Sequence, residues 1–228
     1  MRLLLTRPMD QSEASAALLR GMGHEVIVTP VLEITPLPAN WPEEQCDGLI
    51  ATSARAFAAL EARALPLFVV GEQTARAAQH WQGGEARVEM AADAAALAAL
   101  LGHRPPARWL YLAGQDRKPH LEQALAQAGH RVQVLETYVA RPALALTPKA
   151  LAALRSGAVE GVLHYSARSA AIFVRLADQA GLAAQANQSQ HFCLSADVAV
   201  PLRLCGAGRV RVAGLPDENG LFGLLATR

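Results

Sequence analysis

The sequence has few of the residues that announce a particular chemistry. Of its 228 residues three are cysteine, Cys46, Cys193 and Cys205, an odd number without a C-x-x-C spacing. Neither a disulfide framework nor a structural zinc site is suggested, and the chain reads as cytosolic. Charge of one sign is missing too: Lys plus Arg is 21, Asp plus Glu is 20, and the formal net charge is +1. The basic bias of nucleic-acid binders is absent, although a local cationic cleft remains allowed. No long hydrophobic run exists. Leu3, Leu4 and Leu5 stop at Thr6 and Arg7, too short for a signal-peptide core, and later apolar runs are broken by Arg, Glu or Gly well before the ~18 residues of a membrane span.

Catalytic signatures are equally scarce. There is no G-x-x-x-x-G-K-[ST], no G-x-G-x-x-G after a strand, no H-E-x-x-H and no G-x-S-x-G. The histidines, His24, His80, His103, His120, His130, His164 and His191, include no i, i+4 pair. His24 and His130 precede strands and read as turn or surface residues, and the cysteines read as small core residues. A mechanism built on a metal, a nucleotide or a covalent nucleophile finds no support, and no cofactor is expected.

What is present is apolar and repetitive. With 52% hydrophobic and 18% charged residues the chain is globular, and its length suits one large domain or two small ones. Asp47-Gly48-Leu49-Ile50-Ala51-Thr52-Ser53-Ala54-Arg55 is echoed by Glu160-Gly161-Val162-Leu163-His164-Tyr165-Ser166-Ala167-Arg168, and Phe68-Val69-Val70-Gly71 by Phe192-Cys193-Leu194-Ser195. These are B units. Arg2-Leu3-Leu4-Leu5 pairs likewise with Arg108-Trp109-Leu110-Tyr111, and Gly23-His24-Glu25-Val26 with Gly129-His130-Arg131-Val132; these are A units, giving the order A, B, A, B. Alanine-rich helices also produce chance matches, so duplication competes here with coincidence.

Apolar runs at 3–6, 25–30, 47–52, 66–70, 86–90, 108–113, 131–137, 160–165, 190–194 and 209–213 predict strands. Helical periodicity predicts helices near 11–21, 54–63, 73–81, 93–102, 117–128, 167–180, 196–205 and 217–226, and Thr147, Pro148 and Gly157 bracket one more at 148–156. Such alternation implies α/β architecture with parallel sheets and right-handed crossovers, here two doubly wound sheets of five strands. A tandem division at Gly102-His103-Arg104-Pro105-Pro106 and an inserted arrangement both fit, and composition does not decide between them. Both A units end in an extended run followed by prolines, which favours the insertion: a first lobe from 1–34 and 143–228, a second from 37–138, and connectors at 35–36 and 139–142.

Ligands of open parallel sheets sit beyond the carboxyl ends of strands, where helix N-termini offer free N–H groups. The residues there are Thr6, Arg7, Pro8, Thr52, Ser53, Gly71, Gly114, Ser166 and Ser195, with Arg55, Arg117, Lys118 and Arg168 close by. Ser53, Ser166 and Ser195 are expected helix N-caps, a role that needs no ligand and does not exclude anion contact. A bound anion would explain arginines at helix starts, where they otherwise oppose the dipole; a solvated surface explains them one at a time.

The motifs taken in order resemble the uroporphyrinogen-III synthase family: L-L-x-T-R-P at Leu4 to Pro8, G-H-x-V…P-V at Gly23 to Val31, Thr52-Ser53, Val70-Gly71-Glu72-Gln73-Thr74-Ala75, Leu112-Ala113-Gly114-x-x-Arg117, Tyr138, Ser166 and Ser195. The resemblance runs the whole length. It implies two flavodoxin-like lobes joined by a two-stranded connector, the second inserted in the first. It also implies cyclisation of hydroxymethylbilane to uroporphyrinogen III in the interlobe cleft, with loss of water and inversion of ring D, without cofactor. The implied ligand is a polycarboxylate tetrapyrrole, held by Thr6, Arg7, Pro8, Thr52, Ser53, Gly71, Thr74, Gly114, Arg117, Ser166 and Ser195; nucleic acid and membrane are not expected partners, and a cytoplasmic monomer is. Ser195-Ala196-Asp197-Val198 departs from Gly71-Glu72-Gln73-Thr74, removing one hydroxyl and adding a charge that repels carboxylates.

Tyr138, where the second A-unit strand enters the connector, is the one nominee for catalysis, as a phenol able to donate to a departing hydroxyl; packing of the connector is its other reading. Against the enzyme stands a cofactor-free, bilobed ligand-binding or sensor module, which the same architecture also serves.

Overall fold

Leu3, Leu4 and Leu5 are each fully buried, which is what a strand covered on both faces requires. They form β1 (Arg2–Leu5), an interior strand of a five-stranded parallel sheet in the computed structural model, which describes residues 1–83 and 87–226. β2 (Glu25–Val28) flanks β1 on one side; β9 (Gly161–His164), β10 (Gln190–Cys193) and β11 (Val210–Val212) follow on the other. Numbered by appearance along the chain this order is 2-1-3-4-5, the flavodoxin order. α1 (Met9–Gly21) and α9 (Glu218–Ala226) cover the face that carries Leu3, Leu5, Leu163 and Phe192. α8 (Ala196–Leu204) packs on the face of Cys193, as does Ala170 of α6 (Ala167–Gln179). α5 (Pro148–Arg155) starts at Thr147, whose hydroxyl accepts from the Ala150 N–H (3.4 Å), with Pro148 at the first helical position.

The second sheet is built from β4 (Gly48–Ala51), β5 (Leu67–Val70), β6 (Val88–Ala91), β7 (Arg108–Gly114) and β8 (Arg131–Pro142), all parallel, with β3 (Leu32–Pro36) on the β8 edge. Its order is β3-β8-β7-β4-β5-β6. Leaving β3 aside, both sheets read A strands then B strands, so each combines an A unit of one copy with a B unit of the other; the second has the flavodoxin order in cyclically permuted form. Alternate residues point to opposite faces: Leu49, Ala51, Leu67 and Leu110 pack under α2 (Glu72–Trp81), while Ile50, Phe68, Trp109 and Tyr111 pack against α3 (Ala94–Gly102) and α4 (His120–Gln127).

The chain divides into two compact units, 1–33 with 141–228 and 34–140. Two segments pass from one to the other, and they pair as β3 and β8: the Leu37 N–H donates to Thr137 C=O and the Ala143 N–H to Val31 C=O, each at 2.9 Å, a crossed register that makes them antiparallel.

Several elements differ from the sequence expectation. Eleven strands form among the described residues, not ten, because the run after β2 pairs as β3. The helix expected at 54–63 is a single 3-10 turn, Ala54–Phe57. Its continuation is drawn off by side chains: Trp81 Nε1–H donates to Leu60 C=O (2.8 Å), and Gln82 Nε2 to the carbonyls of Arg63 and Leu65. α7 (Ala183–Gln188) was not expected. Residue 86 of the strand predicted at 86–90 lies outside the described residues. No helix among the described residues is long and apolar enough to cross a membrane.

Candidate functional site

In each sheet the strand order reverses between a central pair, β1 and β9 in one, β7 and β4 in the other, and ligands of open α/β sheets bind at such points. The nominated residues fall around these two points, each within its own unit.

In the 34–140 unit, β7 ends at Gly114. The register jumps there from Ala113 opposite Glu136 to Gly114 opposite Tyr138, so Thr137 is the extra residue of a bulge. Bulges re-aim side chains beside functional sites, and this one lays the Tyr138 ring on Gly114. A Cβ at residue 114 would sit 2.7 Å from the Tyr138 Cε2 and Cζ, so only glycine fits. Arg117 bridges three acceptors: Glu122 through Nε (2.8 Å), Glu136 through Nη1 (3.0 Å) and Gly114 C=O through Nη1 (3.3 Å). Thr52 Oγ1 and Tyr111 OH lie 2.8 Å apart, and burial pushes the Tyr111 phenol above its usual pKa. Ser53 caps the 3-10 turn, accepting from the Arg55 N–H at 3.4 Å. Gly71, with φ +78°, opens α2 with no side chain at the N-cap, and Thr74 is buried in the first turn.

In the other unit, Thr6 is fully buried and its hydroxyl donates to Leu163 C=O (2.9 Å), tying the ends of β1 and β9 together. Pro8 is the N-cap of α1. Arg7 Nη1 donates to Glu218 Oε1 (2.7 Å) and Ser15 Oγ (2.8 Å), and its guanidinium carbon lies 4.1 Å from the centre of the Tyr165 ring. Tyr165 OH donates to the same Glu218 oxygen (3.0 Å), and burial together with that carboxylate raises its pKa far above the ordinary phenol. Ser166 caps α6, accepting from the Ser169 N–H (3.1 Å). Ser195 stands at the N-cap of α8 with no side-chain cap bond, a departure from the capping expected of it: its φ −151°, ψ 171° backbone is extended, and the hydroxyl is left out of the helix turn.

The three tyrosines of the chain therefore differ. Tyr111 is hydrogen-bonded to Thr52 and Tyr165 to Glu218, while the Tyr138 hydroxyl makes no hydrogen bond to another described residue. Both nominated arginines are already paired with carboxylates. Sequence reasoning missed Tyr111, Tyr165, Glu122, Glu136 and Glu218. Two had a signal: the B-unit repeat places Tyr165 at the position of Thr52, and Glu136 lies two residues from Tyr138 on one strand.

His130, expected as a turn or surface residue, follows the turn before β8 but is buried: its Nδ1 accepts from the Ala107 N–H (3.1 Å) and its Nε2 lies 3.0 Å from Leu101 C=O, a latch between β7 and the end of α3. Cys193 is buried, and burial pushes its thiol pKa up to about 12, so it is no nucleophile. Among the described residues no three His, Cys, Asp or Glu side chains are grouped to hold a metal. A cavity of about 820 Å3 opens at the opposite edge of the first sheet, beside Met1, Glu160, Gln190 and Arg209, away from the helix N-termini and the hydroxyls just described.

Comparison with known proteins brings these features together. Search of curated protein sequences returns no significant match. Among solved structures, the uroporphyrinogen-III synthetase of Helicobacter pylori aligns with a TM-score of 0.68 at 17% identity over 100% of both chains. A mutant uroporphyrinogen III synthase of Thermus thermophilus aligns with a TM-score of 0.53 at 21% identity over 99% of this chain and 98% of that one. These similarities establish a shared fold. The family model for uroporphyrinogen-III synthase HemD matches residues 13–223, nearly the whole sequence. The chain belongs to the uroporphyrinogen-III synthase family.

Proposed function

We propose that the chain converts the linear tetrapyrrole hydroxymethylbilane to uroporphyrinogen III, with loss of water, closure of the macrocycle and inversion of ring D. The match to the family over residues 13–223 carries the reaction. The terminal hydroxyl leaves as water, the methylene carbon it leaves behind takes the electron pair of ring D, and attack at the substituted carbon of that ring leads to the inverted isomer. The substrate class closes unaided to the uninverted isomer, so the protein's main task is to hold the two ends for the other attack.

Tyr138 is the residue we assign to proton donation. It alone among the tyrosines has a hydroxyl not engaged by another described side chain, and the bulge at Thr137 and the absence of a side chain at Gly114 give its ring a fixed seat. As it gives its proton to the departing hydroxyl the phenol becomes a phenolate, which takes back the proton that ring D sheds once the macrocycle has closed, so the residue carries no charge before or after the reaction. Those carboxylates are read as held by the N–H groups that follow Thr52-Ser53, Gly71, Ser166 and Ser195 and the backbone after Thr6 and Pro8, with Arg7 and Arg117 contributing and Thr74 lining the first turn of α2. The two units are read as separate domains, the inserted one running from about 37 to 138, and the protein as a cytosolic monomer that binds no nucleic acid. The ligand-binding-module reading has no observation of its own in its favour.

The test pairs two variants in steady-state assays with freshly generated hydroxymethylbilane. Tyr138→Phe is expected to slow turnover by about 10² while still yielding uroporphyrinogen III. Tyr111→Phe, which loses a hydroxyl already engaged by Thr52, is expected to remain within about threefold of wild type, the cost of one ordinary hydrogen bond. A folded Tyr138→Phe protein with the wild-type rate returns that residue to packing.

A further inference from the structure

Arg7 follows the carboxyl end of β1 beside the point where the first sheet's order reverses, yet an internal acid already holds it: the ion pair runs from Nη1 to Glu218 Oε1 at 2.7 Å. That pairing is incomplete. Arg7 Nε is buried without an acceptor, and Nη2 has only Gln11 Oε1, at 3.4 Å. A carboxylate taken by the Nε and Nη2 fork would make two parallel charge-assisted bonds, the arrangement in which arginine binds carboxylates most strongly. The internal partner thus leaves two of the guanidinium nitrogens underused.

Glu218, for its part, is equipped to lose Arg7. Its Oε1 also accepts from Ser15 Oγ (2.6 Å) and from Tyr165 OH (3.0 Å), and it lies in the first turn of α9, where the helix dipole favours a negative charge. With the guanidinium gone it remains hydrogen-bonded. The Tyr165 ring under Arg7, at 4.1 Å, keeps the cation at this edge whichever anion it holds. Arg117 is built differently: it holds two acids and a carbonyl, and the other oxygen of Glu122 is buried without a partner, so releasing Arg117 would strand a carboxylate that has no hydroxyl donors to fall back on.

We propose that one carboxylate of the substrate competes with Glu218 for Arg7, the guanidinium turning from its Nη1 pairing with Glu218 to a side-on pairing with the external carboxylate through Nε and Nη2, so that Glu218 sets the affinity of this unit for its polycarboxylate ligand. The proposal rests on the uroporphyrinogen-III synthase reading of the site. It makes Arg7 a binding residue whose availability is controlled, and Glu218, Ser15 and Tyr165 the residues that control it.

The test measures KM for freshly generated hydroxymethylbilane in wild type, Glu218→Gln, Arg7→Ala and the double variant, with circular dichroism and melting temperature recorded for each. Glu218→Gln, which keeps an acceptor for Ser15 and Tyr165 but carries no charge, is expected to lower KM by about fivefold, with the change falling on KM more than on kcat. Arg7→Ala is expected to raise KM, and in that background the Gln substitution no longer lowers it. A native-like Glu218→Gln protein whose KM is unchanged or raised overturns the exchange. Should that variant not fold, Tyr165→Phe decides: it keeps the ring but removes a donor that retains the displaced carboxylate, and KM is expected to rise by about threefold, an unchanged KM overturning the proposal. A wild-type protein that makes no uroporphyrinogen III fails the functional reading instead, whereas normal turnover with a KM indifferent to Glu218 fails the exchange alone.

Discussion

Neither of the two arginines nominated for ligand binding is a free cation. Arg117 is held by Glu122 and Glu136 and Arg7 by Glu218, so neither nominated guanidinium presents its full charge to a ligand. On the reading proposed above, the remaining attraction comes from backbone N–H groups at helix starts, spread over several elements. Removing one arginine should therefore weaken binding without abolishing it. For Arg117→Ala we expect a KM raised by no more than about tenfold, and for the wild type a KM that rises with added salt. An all-or-none loss at Arg117 in a protein with native circular dichroism would put the binding energy in that one side chain. The pairings with Glu218 and Glu136 were not legible in the sequence, because Arg7 meets Glu218 from the far end of the chain and Arg117, just past β7, meets Glu136 on the neighbouring strand β8.

At the scale of the element, the bulge in β8 and the glycine at the end of β7 act together. The Gly114→Ala variant places a methyl 2.7 Å from two carbons of the Tyr138 ring, an overlap that forces the ring off its seat. Expected are a loss of stability of about 1–3 kcal/mol in a urea melt, as for other overpacked positions, and a fall in turnover at least as large as that of Tyr138→Phe. Wild-type turnover in this variant would show that the ring's seat is irrelevant to the chemistry. Local pattern made most elements readable: β1 and β9 from their apolar runs, α5 from Thr147 and Pro148, α6 from its capping Ser166. It failed where tertiary contacts overrode propensity. Ala54 to Arg63 reads as a helix, but Trp81 and Gln82 claim the carbonyls of Leu60, Arg63 and Leu65 that would have continued it. α7 escaped notice because it is six residues long and follows Gly181, whose φ of +69° ends α6. Of the candidate site, the hydroxyls, glycines and Tyr138 could be named from the sequence, whereas the carboxylates facing them depend on sheet register.

For the molecule as a whole, acid should act first on one unit. His164 Nε2 and His191 Nδ1 lie 3.0 Å apart in the first sheet, His164 Nδ1 is buried with no partner, and the Phe173 ring packs edge-on against both imidazoles. Burial holds His164 well below the ordinary histidine pKa, and its neighbour lowers it further; burial lowers His191 to about 4. The folded unit thus keeps both rings neutral while the unfolded chain protonates them near pH 6.5. Stability from this pair is fully present above about pH 6.5 and is lost as pH falls towards 4, by about 3 kcal/mol from His191 alone. Hydrogen exchange at pH 4.5 should therefore expose β9 and β10 well before β4 and β7, and His164→Phe should reduce the difference. Equal protection of both sheets at that pH would contradict the assignment of the acid response to this pair.

The isomer that the chain produces decides its function, because the linear substrate closes by itself to the uninverted isomer and only a positioned ring D gives the other. Purified protein, with no added cofactor, is supplied with freshly generated hydroxymethylbilane, and the products are oxidised to porphyrins and separated by isomer. The prediction is uroporphyrinogen III formed in proportion to protein concentration and faster than spontaneous closure. Uroporphyrinogen I alone, at the rate seen without protein, would contradict it.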